Sequence, residues 1–162
     1  MPQAFEFARE AGSRPARHPL GGPRKLLLVD DEPAVGRMMC HAAQECGYEA
    51  AVAMTATSFR RHYEEETPDI VLLDLSLPGG DGIELLRFLA EKKSQAVILI
   101  VSGFDRRVLE AARRLGEALG LRMGGCLTKP VFVNQLGEAI EKATRQFSAE
   151  GDDDAAHLCF RS

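Results

Sequence analysis

Five short apolar runs, each followed by a stretch of helical periodicity, constrain this chain more than anything else in it. The runs are KLLLVD (25–30), YEAAVAM (48–54), DIVLLD (69–74), AVILIVS (96–102) and LRMGGCLT (121–128). The third and fourth are almost continuously apolar, as strands covered on both faces require. Helical patterns occupy 33–47, 55–65, 82–92, 105–119 and 131–147. Pro33 suits the first turn of its helix, Asp105 an N-cap and Gly120 a C-terminal stop. The last helix aligns Val133, Leu136, Ile140, Ala143 and Phe147 on one face, a stripe expected to pack on the core. Repeated β-then-α units specify a doubly wound α/β domain: an open five-stranded parallel sheet with helices on both sides. Right-handed crossovers make 2-1-3-4-5 the expected strand order.

The 162 residues suit a single domain. Residues 24–147 carry the alternation. The Arg-, Pro- and Gly-rich segment 1–23 reads as a disordered extension, and 148–162 as a tail opened by an acidic stretch. The net charge of −4 gives no general reason to expect nucleic-acid binding. No apolar run approaches the ~20 residues that span a bilayer, and the start lacks a signal-peptide pattern, so a cytoplasmic location without membrane attachment is expected. The four cysteines, Cys40, Cys46, Cys126 and Cys159, form no CxxC pair and read as reduced thiols.

In sheets of this kind ligands bind outside the carboxyl ends of the strands, where strands one and three part company. Asp30 and Asp31 end strand one and Asp74 ends strand three. Three carboxylates in a partly buried cleft repel one another, so either one takes up a proton or a hard cation binds. Oxygen-only donors with room for water suit Mg²⁺. Strand four contributes the hydroxyl of Ser102, and strand five ends at Lys129, followed by Pro130. Carboxylates, a hydroxyl and an ammonium around one cleft fit phosphoryl transfer. Each residue also has a plainer reading. The two aspartates cap the first helix, Asp74 opens the turn at Leu77–Gly80, Ser102 begins a loop, and Lys129 is a surface lysine. Their joint arrival at one sheet edge favours the site. The LPGGDG run lacks the Lys and Ser/Thr of a phosphate-cradling loop and reads as a turn.

The stretches LLLVDDEP, DIVLLDLSLPGGDGIELL, ILIVSGFD and CLTKP, in that order across about residues 24–147, resemble the CheY-like receiver domains of two-component response regulators. The resemblance implies a flavodoxin-like doubly wound fold. It implies Asp74 as the residue phosphorylated by a histidine kinase or histidine phosphotransfer protein. Mg²⁺ is then held directly by Asp31, Asp74 and the backbone carbonyl of Ser76, with Asp30 acting mostly through water. Ser102 is the hydroxyl that turns to the phosphoryl group, Lys129 pairs with that group, and the Lys129–Pro130 bond is cis. The chain departs from the pattern in two places. Cys126 stands where the family usually has Tyr or Phe, and the span from Ser102 to Lys129 is a few residues longer than usual.

A DNA-binding output domain needs tens of residues more than 148–162 supplies, so a stand-alone receiver is expected, monomeric or weakly dimeric. It signals to an output protein that the sequence leaves unnamed. The alternative is a receiver-like scaffold that binds its partner without phosphorylation. A phosphatase of the haloacid-dehalogenase type would need a second Asp two residues past Asp74, where Ser76 stands. The expected carrier of the signal is the loop after Ser102, leading to a helix with Arg106, Arg107, Arg113 and Arg114. These arginines either face an acidic partner or pair with Glu110 and Glu117.

Overall fold

The computed structural model describes residues 22–103 and 105–160. Most of the expected disordered extension, residues 1–21, lies outside the described residues. The chain alternates β1 (Lys25–Val29), α1 (Pro33–Glu45), β2 (Glu49–Ala53), α2 (Ala56–Glu65), β3 (Ile70–Asp74), a 3₁₀ turn (Pro78–Gly80), α3 (Asp81–Glu91), β4 (Val97–Ser102), α4 (Arg106–Ala118), β5 (Arg122–Thr128) and α5 (Val133–Phe160). All pairings are parallel, in the order β2-β1-β3-β4-β5. This is the doubly wound order anticipated from the alternating runs, and the CheY-like flavodoxin fold that the resemblance implied.

Side chains that alternate along a strand go to opposite faces. Leu27 and Val29 of β1 join Phe59 of α2, Leu85 and Leu89 of α3 and Leu109 of α4 in one core layer. Leu26 and Leu28 join Met39 and Ala43 of α1 and Leu136 and Ile140 of α5 in the other. β3 and β4 are buried at every residue, which explains their unbroken apolar sequence. At the β5 edge the register with β4 shifts between Ile98 and Leu99, where Met123 pairs with Ile98 but Gly125 with Leu99. The extra residue is Gly124. A Cβ there would stand 2.6 Å from Val97 Cγ1, so the bulge needs a glycine.

Helix punctuation follows the sequence. Pro33 opens α1, and Asp105 Oδ1 accepts from the N–H groups of Arg107 and Val108 at 2.7 and 3.2 Å to cap α4. Gly47 and Gly120, at φ +88 and +85, leave α1 and α4 in the left-handed region. Two expectations for the last helix differ. Val133 is 40% exposed rather than part of the packed stripe; Leu136, Ile140 and Ala143 are buried. Val133 is the first residue of α5, and the core there is filled instead by Val131, just ahead of the helix. The helix also continues to Phe160, because 148–160 contains no proline and Gly151 alone costs a helix only about 1 kcal/mol.

Candidate functional site

The sheet register brings the two buried acids together. Val29 lies opposite Leu73, so the next residues along β1 and β3, Asp30 and Asp74, emerge side by side at the same edge. Both strand ends are pinned, Asp30 N–H to Ala53 O and Leu75 N–H to Val101 O, each at 3.1 Å. Each of the two aspartates is 1% exposed, and they share one hydrogen-bonding pattern. Their Oδ1 atoms accept the backbone N–H two residues on, Glu32 for Asp30 and Ser76 for Asp74, at 2.8 Å. Their Oδ2 atoms both take Lys129 Nζ, at 2.9 Å from Asp30 and 3.1 Å from Asp74. Lys129 N–H in turn donates to Ser102 O at 2.9 Å, fixing the end of β5 beside β4.

The ammonium is therefore what offsets the repulsion between the buried carboxylates. Burial alone pulls the Lys129 pKa down. The hydrogen bonds it donates to Asp30 and Asp74 and the charges of both outweigh that, and the net shift is upward. Its side chain is only 18% exposed, so the surface-lysine reading fails. The helix-capping reading fails as well: α1 has Glu32 at its N-cap and no side-chain cap bond. The turn reading of Asp74 holds together with the cleft reading, since its Oδ1 makes the Asp-turn bond to Ser76. The Lys129–Pro130 bond is cis, as the resemblance implied.

Asp31 stands exposed at the rim, and one oxygen each from Asp30, Asp31 and Asp74 lie within 4.8 Å of one another. When ionised, three carboxylates against one ammonium leave two negative charges, which a divalent cation would balance. The donors are all oxygen and one of them faces water, so the set fits Mg²⁺, which retains part of its hydration shell.

Ser102 is fully buried, and its hydroxyl lies 2.8 Å from that of Ser76. Gly103 N–H donates to the same Ser76 Oγ at 3.3 Å. The sequence had assigned Ser76 a backbone role only. Its side chain ties the end of β3 to the end of β4, a contact between residues 26 apart in the chain. Cys126 is half-buried under α4, and its Sγ donates to Leu109 O at 3.7 Å. Burial, then Glu110, push its thiol pKa up against a smaller opposing effect of Arg113. Among the arginines of α4, Arg113 is committed to Glu110 and Glu117, and Arg114 Nε stands 3.7 Å from Glu110. Arg106 and Arg107 are exposed, and the charge of Arg106 helps to lower the Glu110 pKa after the larger effect of Arg113.

Gly82, in the first turn of α3, lets that helix close on the end of β3. A Cβ at Gly82 would stand 2.8 Å from Leu75 Cα and 3.0 Å from Asp74 O, both backbone atoms that cannot turn away. Gly82→Ala is expected to destabilise the fold by about 1–3 kcal/mol through overpacking, read by urea denaturation. A loss below about 0.5 kcal/mol would show that α3 withdraws without strain.

A family model described as the response regulator receiver domain matches residues 26–141. The photosynthetic apparatus regulatory protein RegA of Rhodobacter capsulatus is 28% identical over 123 residues, covering 75% of this chain and 63% of that protein. The TorCAD operon transcriptional regulatory protein TorR of Escherichia coli is 30% identical over 117 residues, 70% of this chain and 47% of TorR. The chain thus spans about half to two thirds of the length of these curated relatives. A response regulator from Colwellia psychrerythraea superposes with a TM-score of 0.65 at 28% identity, over 75% of this chain and 98% of that one. A CheY-like receiver protein from Methanospirillum hungatei gives 0.69 at 24% identity, over 78% and 98%.

Proposed function

Since the chain belongs to the receiver-domain family of two-component response regulators, we propose that Asp74 accepts a phosphoryl group from a histidine kinase or histidine phosphotransfer protein and that the phosphorylated chain signals by protein–protein contact. Receiver domains are signalling domains that interact with kinases and output domains, and they bind Mg²⁺ at an acidic pocket. The receiver occupies 24–147, between the extension 1–23 and the tail 148–162. It acts in the cytoplasm as a monomer or weak homodimer. No helix among the described residues is long and apolar enough to cross a membrane.

One observation carries the reading: Lys129 Nζ bridges Asp30 and Asp74 at 2.9 and 3.1 Å beside Asp31 and Ser102. A carboxylate oxygen of Asp74 attacks phosphorus as the bond to the donor's imidazole nitrogen breaks. The electron pair stays on that nitrogen, which takes up a proton. Lys129 follows the charge from the Asp74 carboxylate to the phosphoryl oxygens, and the Ser102 hydroxyl turns to donate to them. Asp31, Asp74 and the Ser76 carbonyl would hold Mg²⁺, with Asp30 acting through water, and the ion would supply positive charge for those oxygens.

Cys126 has a single short χ1 arm and displaces little volume, so output does not run through that position. It runs through Ser102 and the loop to the Asp105 cap of α4. There Arg106 and Arg107 offer an acidic partner a cationic surface. Incubation with Mg²⁺ and acetyl phosphate, followed by intact mass, tests the reading. One phosphoryl adduct is expected, and none without Mg²⁺. An unchanged mass with both present would favour the phosphorylation-independent scaffold.

A further inference from the structure

We propose that the Ser76 hydroxyl is a resting-state latch, a positioning residue that holds Ser102 and the start of the β4–α4 loop away from Asp74 until a phosphoryl group competes for Ser102. The proposal rests on the reading of Asp74 as phosphoryl acceptor and adds what sets the threshold for switching. Ser76 sits two residues beyond Asp74, with its own N–H bonded to Asp74 Oδ1 at 2.8 Å, so its position follows the acceptor directly. Its hydroxyl has one donor and two acceptor sites. Gly103 N–H takes one acceptor site at 3.3 Å, and Ser102 Oγ lies 2.8 Å away, where either hydroxyl can donate to the other.

Ser102 is fully buried, and its hydroxyl swings on one χ1 bond. Turning that hydroxyl to a phosphoryl oxygen therefore breaks the contact with Ser76. The exchange favours the phosphoryl group, because a hydrogen bond to an anion is roughly twice as strong as one between neutral groups. The same Ser76 hydroxyl also holds Gly103. Beyond its chain neighbours, no atom of the described residues stands within 4 Å of where a Gly103 Cβ would be, so packing by the rest of the fold does not restrain it. Its N–H bond to Ser76 anchors the loop on the strand side, and Asp105 anchors it on the helix side. The net worth of a neutral hydrogen bond corresponds to about fivefold in an equilibrium constant.

Ser76→Ala removes the hydroxyl and keeps the backbone carbonyl assigned to Mg²⁺; Ser76→Thr keeps both. Without any phosphoryl mimic, Gly103 amide exchange measured by NMR is expected to quicken about fivefold in the alanine variant, with the Val108 amide unchanged. With Mg²⁺ and beryllofluoride, half-saturation should fall about fivefold in the alanine variant, and threonine should restore both readouts. Unchanged Gly103 exchange in Ser76→Ala overturns the latch. So does weaker beryllofluoride binding, which would make Ser76 a support of the switched state. If the parent binds no beryllofluoride and takes no phosphoryl group, the acceptor reading fails, while Gly103 exchange still decides whether Ser76 holds the loop.

Discussion

Asp74→Asn is expected to take up no phosphoryl group from acetyl phosphate, and to melt near or above the temperature of the parent in Mg²⁺-free buffer. The first result follows from chemistry: an uncharged amide does not attack phosphorus as the carboxylate does. The second follows from the cleft. Asparagine keeps an oxygen for the Ser76 N–H, which now reaches Asp74 Oδ1 at 2.8 Å. It removes one of two buried negative charges, and Lys129 stays paired with Asp30 at 2.9 Å. A loss of function without a loss of stability is the signature expected where like charges are gathered for a ligand. The melting temperature should stay within about 4 °C of the parent or rise, and Mg²⁺ should raise it less. Labelling of the variant at the parent's rate would reassign the acceptor. A drop of about 10 °C would mean that the Asp74 charge is structural.

The strand order and the edge holding the site were legible because both depend on short-range patterns. Burial on two faces makes β3 and β4 continuous in apolar residues, and a parallel sheet puts every strand's carboxyl end at one edge. Asp30 and Asp74 meet because each closes such a run. What stayed hidden depends on partners distant in the chain. A serine two residues past an aspartate looks like any turn residue. Nothing in the local sequence says that the Ser76 hydroxyl meets Ser102. Lys129 was legible as a cation near the cleft, but the carboxylate repulsion was expected to be relieved by a proton or a metal. The structure adds a third answer, the lysine itself. At the end of α5 the difficulty is another one, since Ala, Glu and Asp leave a helix and a polar tail nearly equal in local preference.

Removing the lysine should cost the fold what removing Asp74 does not. Lys129→Met keeps the length and apolar stem of the side chain but leaves Asp30 and Asp74, each 1% exposed, facing one another without a cation. Breaking one side of a buried pair costs about 3–5 kcal/mol. The lysine side chain is 18% exposed, which places the expected loss near the lower end, about 3 kcal/mol by urea denaturation without divalent ions. Millimolar Mg²⁺ should then recover more stability in the variant than in the parent, because Nζ no longer competes for Asp30 Oδ2 and Asp74 Oδ2. The pH dependence has a definite sign. The Lys129 pKa is raised on folding, so its contribution is complete below the unfolded value of about 10.4 and is lost as pH rises through the higher folded one. The gap between parent and variant should therefore hold steady from neutral pH to about 10 and close above it. A gap under about 1 kcal/mol at neutral pH would class the pair with solvated surface bridges. The buried acids would then need another source of compensation, and the central role given to Lys129 in gathering the cleft would fall.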